Sequence, residues 1–317
     1  MKVLFITSNR IGDAILSSGL LGWLVDNYRT AAFTIAAGPA AAALFSDVPR
    51  LERLISMSKQ PHAGHWLDLW RASAASRWEL VVDLRGSAIA WLLWTRARAV
   101  YRPQATQEHR VVQLSRVLGL ETPPQPRIWC SGVRWDRAAH LVPDAGGPLL
   151  AFGPAANWCG KQWPAARFAE LAARLTAADG FYPGARIMLL GGPGEQEMAQ
   201  PLLRAVPESR CIDLVGRVDL LTAYACLRKA ALYIGNDSGL MHLAAAAGIP
   251  TLGLFGPSKE VHYAPWGPHA MAVRGPQSFE DIISAPGYDH RSGQSYMTAL
   301  TVERVYEALT ELLGRNA

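Results

Sequence analysis

Three charged residues, each just after a predicted buried strand, carry side chains that could do chemistry. Asp13 could accept a proton from a substrate hydroxyl, because it is a carboxylate at the start of a predicted helix. Lys161 could neutralise a phosphate leaving group, and Glu195 could accept hydrogen bonds from a ribose diol. Each residue also has a simpler explanation. Asp13 could be a helix cap, Lys161 a solvated surface residue and Glu195 an ordinary helix start.

The start of the predicted helix 238–247, in the stretch NDSGLMHLAAAAG, is a candidate phosphate site. Residues 236–238 are all of types that cap helices, and Gly239 lets a ligand approach the backbone closely. Free N–H groups and a partial positive charge at a first helical turn favour phosphate. Because the helix is apolar on nearly all sides, we expect it to be buried with its N-terminus in a cleft. An ordinary capped helix is the competing interpretation, and His242 alone is more typical of a packed core histidine.

Familiar cofactor and metal motifs are incomplete in this sequence. The dinucleotide pattern G-x-G-x-x-G begins at Gly192 but meets Glu197 at its last position, which disfavours a nicotinamide oxidoreductase. Gly160 and Lys161 lack the rest of a P-loop. The sequence contains neither D-x-D nor H-E-x-x-H, so we predict no metal site and no cofactor.

Short runs of Val, Ile and Leu alternate along the chain with longer helical patterns. Such alternation predicts parallel sheets covered by helices on both faces, an α/β fold. The predicted strands cover residues 3–7, 33–36, 80–83, 149–152, 186–190, 231–234 and 251–254. The predicted helices cover residues 13–27, 65–76, 87–96, 111–118, 164–178, 195–205, 219–229, 238–247 and 301–313.

The stretch VPDAGGP, residues 142–148, interrupts the alternation and is the predicted linker. It separates residues 1–145 from residues 146–317, and each half begins near a strand. A chain of 317 residues, half of them hydrophobic, is long enough to give both halves a core. We therefore expect two doubly wound domains facing a central cleft, where ligands bind at the carboxyl ends of strands.

Charge and cysteine content narrow the class of protein. The net charge of +5 suits an anionic substrate or an anionic membrane surface, but is too small to predict nucleic-acid binding. The four cysteines show no C-x-x-C spacing, which predicts neither a zinc site nor a disulfide framework. Polar residues interrupt the N-terminal apolar stretch, and no apolar run reaches about 18 residues. We therefore expect a cytoplasmic protein without a signal peptide or membrane span.

The segment IAWLLWTRARAVYR, residues 89–102, combines aromatic residues with arginines. Trp91 and Trp94 beside Arg96 and Arg98 suit a membrane interface with acidic headgroups. A core helix followed by a solvated basic turn explains the same pattern equally well.

Several of these segments together resemble glycosyltransferase family 9, the bacterial heptosyltransferases of lipopolysaccharide core assembly. RIGDAILSSGLLGWL is similar to the R-x-G-D start of the family, and WELVVDLRGS is similar to another family segment. NDSGLMHLAAAAGIPTLGLFGPS is similar, almost throughout, to the family pattern D-[ST]-G-x-x-H-x-A-x-A followed by P and G-P. The resemblance runs through most of the chain.

The resemblance implies a GT-B fold of two Rossmann-like domains, an inverting mechanism and an ADP-heptose donor. Asp13 would be the catalytic base, Lys161 would contact the donor phosphates during catalysis, and Glu195 would hold the ribose. Arg10 and Gly12 would lie on the acceptor side, in an N-terminal acceptor-binding domain. The donor pocket of the C-terminal domain would be formed by Asp237, Ser238, Gly239, Leu240 and His242.

The implied partners are a nucleotide-diphosphate sugar and a lipid A–core acceptor, which suits a cytoplasmic enzyme peripheral to the inner membrane. The last predicted helix, 301–313, could pack back on the N-terminal domain. Two alternatives stay open. One is a family member that uses another nucleotide sugar or a polysaccharide acceptor. The other is a nucleotide-binding interaction protein, which the charged residues at three strand ends disfavour, because a pure binder needs no acid facing an acceptor.

Overall fold

The chain divides into two compact units, Met1–Ser131 and Gly132–Ala317, of which the computed structural model describes residues 1–315. Each unit is built around one sheet whose strands pair in parallel. Helices connect successive strands in both units. The predicted α/β fold class is therefore confirmed.

The first unit contains a five-stranded sheet. Its strands are β1 Lys2–Ile6, β2 Ala32–Ala37, β3 Leu51–Ser56, β4 Trp78–Asp83 and β5 Thr95–Val100. Its helices are α1 Ile11–Asn27, α2 Pro39–Ala42, α3 Gly64–Ser73, α4 Ile89–Leu92 and α5 Arg110–Ser115. The strand order is β3-β2-β1-β4-β5, which places the wholly apolar β1 segment VLFI at the centre, fully buried.

The second unit contains a six-stranded sheet. Its strands are β6 Leu149–Gly153, β7 Arg186–Leu189, β8 Cys211–Asp213, β9 Leu232–Asn236, β10 Thr251–Phe255 and β11 Ala270–Arg274. Its helices are α6 Gly132–Leu141, α7 Ala165–Thr176, α8 Gln196–Ala205, α9 Leu220–Leu227, α10 Gly239–Ala246, α11 Glu260–Tyr263, α12 Phe279–Ser284 and α13 Val302–Gly314. The strand order is β11-β10-β9-β6-β7-β8, with β9 and β6 buried along their whole length.

The strands that the sequence analysis missed are the edge strands of the two sheets. The predicted strands correspond to β1, β2, β4, β6, β7, β9 and β10, which are the inner strands, whereas β3, β5, β8 and β11 were not predicted. A strand with a neighbour on each side and a helix on each face needs a continuous apolar run. An edge strand is partly exposed, so its sequence lacks that run.

The predicted helix 87–96 is wrong. The structure has only the short helix α4 in this segment, followed by β5. The β5 sequence TRARAV alternates large polar and small apolar residues, which is the two-residue period of a half-exposed strand.

The boundary between the units lies before α6 rather than after it, which corrects the predicted division at residues 145 and 146. Helix α6 packs on α9 within the second unit. The Arg134 guanidinium lies 3.4 Å from the Asp219 carboxylate, and the Trp135 and Tyr224 ring centroids are 6.2 Å apart. The proline- and glycine-rich stretch 142–148 connects two elements of one unit.

The last helix, α13, packs within its own unit. Val305, Leu309 and Leu312 share one face at helical spacing and are buried in the core with α7, β10 and β11. The second sheet therefore occupies the apolar face of α13. Contact of this helix with the N-terminal half stays a prediction. Within residues 1–315, none of the helices has the length and apolar character needed to cross a bilayer.

Candidate active site

The predicted base Asp13 lies in the first turn of α1, which follows the loop after β1. The helix begins at Ile11, so Gly12 lies in its first turn, and Arg10 occupies the N-cap position without a side-chain cap hydrogen bond. The Asp13 carboxylate accepts a hydrogen bond from Ser8 Oγ at 3.4 Å, and Ser8 Oγ accepts one from the Arg10 N–H at 3.1 Å. Asp13 is therefore not the cap of α1, and the simpler explanation of its presence is wrong.

An arginine at the end of β4, the strand beside β1, adds a cation to this edge of the first sheet. The fully buried Asp83 carboxylate shapes the turn by accepting hydrogen bonds from the N–H groups of Arg85 at 2.9 Å and Ser87 at 2.8 Å. The Arg85 guanidinium lies 4.6 Å from the Trp66 ring centroid and donates to Asn9 Oδ1 at 3.1 Å. Burial lowers the pKa of Arg85, and the Asp83 carboxylate acts in the opposite direction. The guanidinium is thus tied to the loop that leads into α1.

Two residues predicted separately for the donor pocket contact each other in the second unit. Lys161 ends the short 3-10 turn Cys159–Lys161, and its Nζ donates to Asp237 Oδ2 at 2.5 Å. The exposed fraction is 25% for the Lys161 side chain and 8% for the Asp237 side chain. The explanation of Lys161 as a solvated surface residue is therefore wrong, because its ammonium group is held at the end of β9.

Asn236, the last residue of β9, fixes the loop that carries the lysine. Its buried side chain accepts a hydrogen bond from the Trp163 N–H at 3.0 Å and donates to the Pro154 carbonyl at 2.7 Å. The Trp163 indole is also buried and donates to the Leu300 carbonyl at 2.7 Å. Asn236 therefore holds both ends of the loop between β6 and α7, and does not cap α10.

The N-terminus of α10 has no side-chain cap. Ser238 occupies the N-cap position without a side-chain bond to the helix, and the two residues before it are bonded elsewhere as described. Within residues 1–315, no side chain caps the first turn at Gly239 and Leu240. The interpretation of α10 as an ordinary capped helix is therefore wrong, and its positive end suits an anion. His242 is buried one turn into the helix.

Glu195 stabilises the glycine-rich turn after β7 by a hydrogen bond. Its Oε2 accepts a hydrogen bond from the Gly192 N–H at 2.5 Å, across a turn in which Gly194 has a φ of +87°. Glu195 occupies the N-cap position of α8, but its side chain makes no cap hydrogen bond. A residue that merely starts a helix would not fold back in this way, so the carboxylate is held at the carboxyl edge of the second sheet.

The sequence of the chain is similar to that of a known protein family. The family model for glycosyltransferase family 9 (heptosyltransferase) matches residues 69–281, more than half of the chain. The chain belongs to glycosyltransferase family 9. It is therefore a glycosyltransferase, and the family resemblance drawn from its sequence is confirmed.

Three relatives extend the similarity over the whole glycosyltransferase. Lipopolysaccharide heptosyltransferase 2 of Salmonella typhimurium is 25% identical over 358 residues, with 100% of this chain and 99% of the relative covered. The solved structure of ADP-heptose lipopolysaccharide heptosyltransferase II from Escherichia coli has a TM-score of 0.76 and 21% identity, with both chains fully covered. Heptosyltransferase WaaC from Escherichia coli, solved with ADP, has a TM-score of 0.72 and 21% identity, covering 98% of this chain and 100% of that one. The shared fold is GT-B, with two Rossmann-like units.

Two polar residues near the candidate site, Arg85 and Tyr233, were not singled out from the sequence. A usable signal for Arg85 was its place directly after an apolar strand, in the segment VVDLRGS. Tyr233 gave no such signal, because a tyrosine within a buried strand is ordinary core composition.

Tyr233 is fully buried on β9, and two glycines make room for its hydroxyl group. A Cβ atom would lie 2.0 Å from that oxygen at Gly153 and 2.3 Å from it at Gly235. The two glycines are paired in register on β6 and β9. Burial raises the pKa of Tyr233 above its usual range. The Ser238 side chain acts in the opposite direction and the Glu195 carboxylate adds to the rise, so the hydroxyl stays protonated.

Gly153→Ala is expected to lower the free energy of unfolding by about 1–3 kcal/mol, the usual cost of overpacking a core. The new methyl group cannot lie 2.0 Å from the Tyr233 hydroxyl without displacing the ring. Urea unfolding measures the change, and Gly293→Ala is the control, because a Cβ there meets nothing within 4 Å. Tyr233→Phe in the same chain should recover part of the loss. An equal loss with and without the hydroxyl would contradict this explanation.

Proposed function

We propose that this glycosyltransferase transfers a heptose from ADP-heptose to an inner-core sugar of lipopolysaccharide, with inversion and without a metal ion. The observation that carries the proposal is the Lys161–Asp237 pair, held beside the uncapped first turn of α10. An ammonium group and a helix N-terminus together suit a diphosphate. The relatives support the sugar and the nucleotide, since two are named as lipopolysaccharide heptosyltransferases and one was solved with ADP.

In the proposed mechanism, Asp13 accepts the proton of the acceptor hydroxyl while the hydroxyl oxygen attacks the anomeric carbon of the donor. The new carbon–oxygen bond forms on the side opposite the bond to the diphosphate. That bond breaks, and the nucleoside diphosphate leaves with its electron pair. In-line displacement of this kind inverts the anomeric configuration. Lys161 and the positive end of α10 stabilise the charge that develops on the diphosphate. Glu195 holds the ribose in this scheme.

We assign the acceptor to the first unit and the donor to the second. The residues that support the acceptor assignment are Arg10 and Arg85, two cations at the loop that presents Asp13. Guanidinium groups bind phosphate and carboxylate in paired hydrogen bonds, which suits the acidic inner core of lipopolysaccharide. Because such an acceptor is anchored in lipid, the enzyme would work from the cytoplasm at the surface of the inner membrane.

Transfer is tested with the purified enzyme, ADP-heptose and defined core oligosaccharides, with product configuration read by NMR. ADP-heptose should be the preferred donor in competition with UDP-sugars and GDP-sugars, and the new linkage should have the inverted configuration. Preference for another nucleotide sugar, or for a polysaccharide acceptor, would select the alternative member of the family. A product that retains the configuration would overturn the mechanism.

Transfer is expected to continue in excess EDTA. The reason is that Lys161 and the first turn of α10 can supply the positive charge that a divalent cation would otherwise bring to the diphosphate. Initial rates with and without EDTA measure the effect. Activity that EDTA abolishes and magnesium or manganese restores would contradict the proposal.

A further inference from the structure

A group of large apolar side chains lies exposed on the first unit, on α3 and in the segment that leads into β5. Trp91, Leu92 and Trp94 have exposed fractions of 59%, 64% and 68%. Leu67 and Trp70 are also exposed and lie one turn apart on α3. These five residues are termed the tryptophan patch. Exposed apolar side chains grouped in this way are typical of interaction sites.

Hydrogen bonds hold the tryptophan patch in a defined shape. The Trp70 indole donates to the Leu92 carbonyl at 3.3 Å, which joins α3 to α4. The Arg98 guanidinium donates to the carbonyls of Ala90 at 2.6 Å and Leu93 at 3.1 Å, which fixes the turn between α4 and β5. The exposed rings therefore belong to an ordered surface.

Arginines accompany the exposed rings. The Arg77 guanidinium lies 4.5 Å from the Trp94 ring centroid, and the Arg98 guanidinium lies 5.5 Å from that of Trp91. Residues 64–102 contain six arginines and three acidic residues. Arg85 and the buried aspartate that ends β4 belong to the acceptor edge, which leaves five arginines and two acidic residues, so the surface of this segment is basic.

We propose that the tryptophan patch and its arginines bind the surface of an anionic phospholipid bilayer. Tryptophan rings favour the headgroup region of a bilayer, because the ring is apolar and its N–H group can bond to water or headgroups. Arginine side chains at the same depth reach the lipid phosphates. A second copy of the chain fits less well. A two-fold interface would bring the arginine-rich patches of both copies together, and such like-charge contacts are costly.

The part of the tryptophan patch next to β5 lies away from the proposed acceptor site. Trp94 directly precedes β5, at the amino end of the first sheet, whereas Asp13 follows the carboxyl end of β1. A strand of six residues spans roughly 20 Å. The first unit can therefore contact lipid at Trp94 without covering the Asp13 loop.

Vesicle flotation with the full chain tests the proposal. The enzyme should float with vesicles of equimolar phosphatidylglycerol and phosphatidylcholine, and not with phosphatidylcholine alone. Trp91→Ser/Trp94→Ser should lower the partition coefficient at least roughly ten-fold, because binding scales with buried apolar area. Arg71 follows Trp70 on α3, and Arg71→Gln/Arg77→Gln should lower the partition coefficient by about five-fold for each arginine. Flotation is preferred to intrinsic fluorescence, because the chain has 11 tryptophans.

Matched controls lie in the second unit. Trp135→Ser removes another exposed tryptophan and Arg204→Gln another exposed arginine, and both variants should float like the parent. Equal flotation of the parent and the patch variants, or equal binding to neutral vesicles, would overturn the proposal. So would a dimer in sedimentation velocity that the tryptophan variant loses, because a second copy would then cover the patch.

The flotation result does not depend on the proposed transfer reaction. Flotation is measured without donor or acceptor, so a different donor would not alter it. Conversely, the patch variants should glycosylate a soluble, delipidated acceptor at the parental rate. Loss of that soluble activity would mean that the patch supports the fold or the reaction, and would count against a lipid surface.

Discussion

Asp13→Asn is expected to lower kcat at least about a hundred-fold, the low end of what a positioned general base contributes. Asparagine has the shape of aspartate but cannot take a proton from the acceptor hydroxyl. Because Asp13 is not the cap of α1, its only electrostatic role in the helix is the charge in the first turn. That charge contributes about 0.3–1 kcal/mol at most, so the variant should stay folded. Steady-state kinetics and thermal unfolding measure the two effects.

The same helix offers a matched control. Asp26 lies near the other end of α1 and pairs with Arg127 at 2.9 Å on an exposed surface. Asp26→Asn changes the same charge on the same element and should leave kcat unchanged. Donor binding by Asp13→Asn should also be close to parental, because we assign the donor to the second unit. A folded Asp13→Asn enzyme with near-parental kcat would leave the proposed mechanism without its base.

Lys161→Ala is expected to lower donor-side kcat/KM by roughly ten- to a hundred-fold. This corresponds to the loss of one charged hydrogen bond to the diphosphate, about 1.5–3 kcal/mol. The variant should also be less stable, because the nearly buried Asp237 carboxylate loses its partner. Initial rates at varied donor concentration, together with urea unfolding, separate these consequences. Lys161→Arg should restore activity only in part, because a planar guanidinium does not replace a compact ammonium group.

Two further variants distinguish catalysis from stability. Lys161→Ala/Asp237→Asn removes the unpaired charge, so it should recover stability while donor turnover stays low. Lys229 is the control, because its side chain has the same exposed fraction of 25% and pairs with Asp144 at 2.9 Å elsewhere in the second unit. Lys229→Ala should leave kcat/KM at the parental value. Kinetics of Lys161→Ala that match those of Lys229→Ala would show that Lys161 does not contact the donor.

Prediction of the fold from sequence succeeded where burial is complete and failed where it is partial. β1 and β9 are mostly apolar because each lies between two strands and under helices. β5 carries exposed arginines and was predicted as part of a helix. α6 has one buried residue, Ala138, so its sequence shows little apolar pattern, and the unit boundary was placed on the wrong side of it.

In the candidate site, features formed by residues adjacent in sequence were predicted, whereas contacts between residues far apart in sequence were not. Asp13, Glu195 and the α10 stretch were predicted because a strand, a turn and a helix start are adjacent in sequence. The contact of Lys161 with Asp237 joins residues 76 positions apart, and the bond between Arg85 and Asn9 also spans 76 positions. No local pattern encodes such a pair, because either partner alone is an ordinary polar residue after a strand.

The sequence by itself determined the α/β class, the inner strands, the family and the positions where charged side chains follow strands. Those features depend on neighbours in the chain, through apolar runs, turn residues and motif spacing. Only the tertiary structure decided what each polar group bonds to. Asn236 holds a loop, Asp237 holds Lys161, and the first turn of α10 is left uncapped. The reason is physical: asparagine, aspartate and serine can each satisfy either a helix N–H or a distant partner, and packing determines which partner lies within reach.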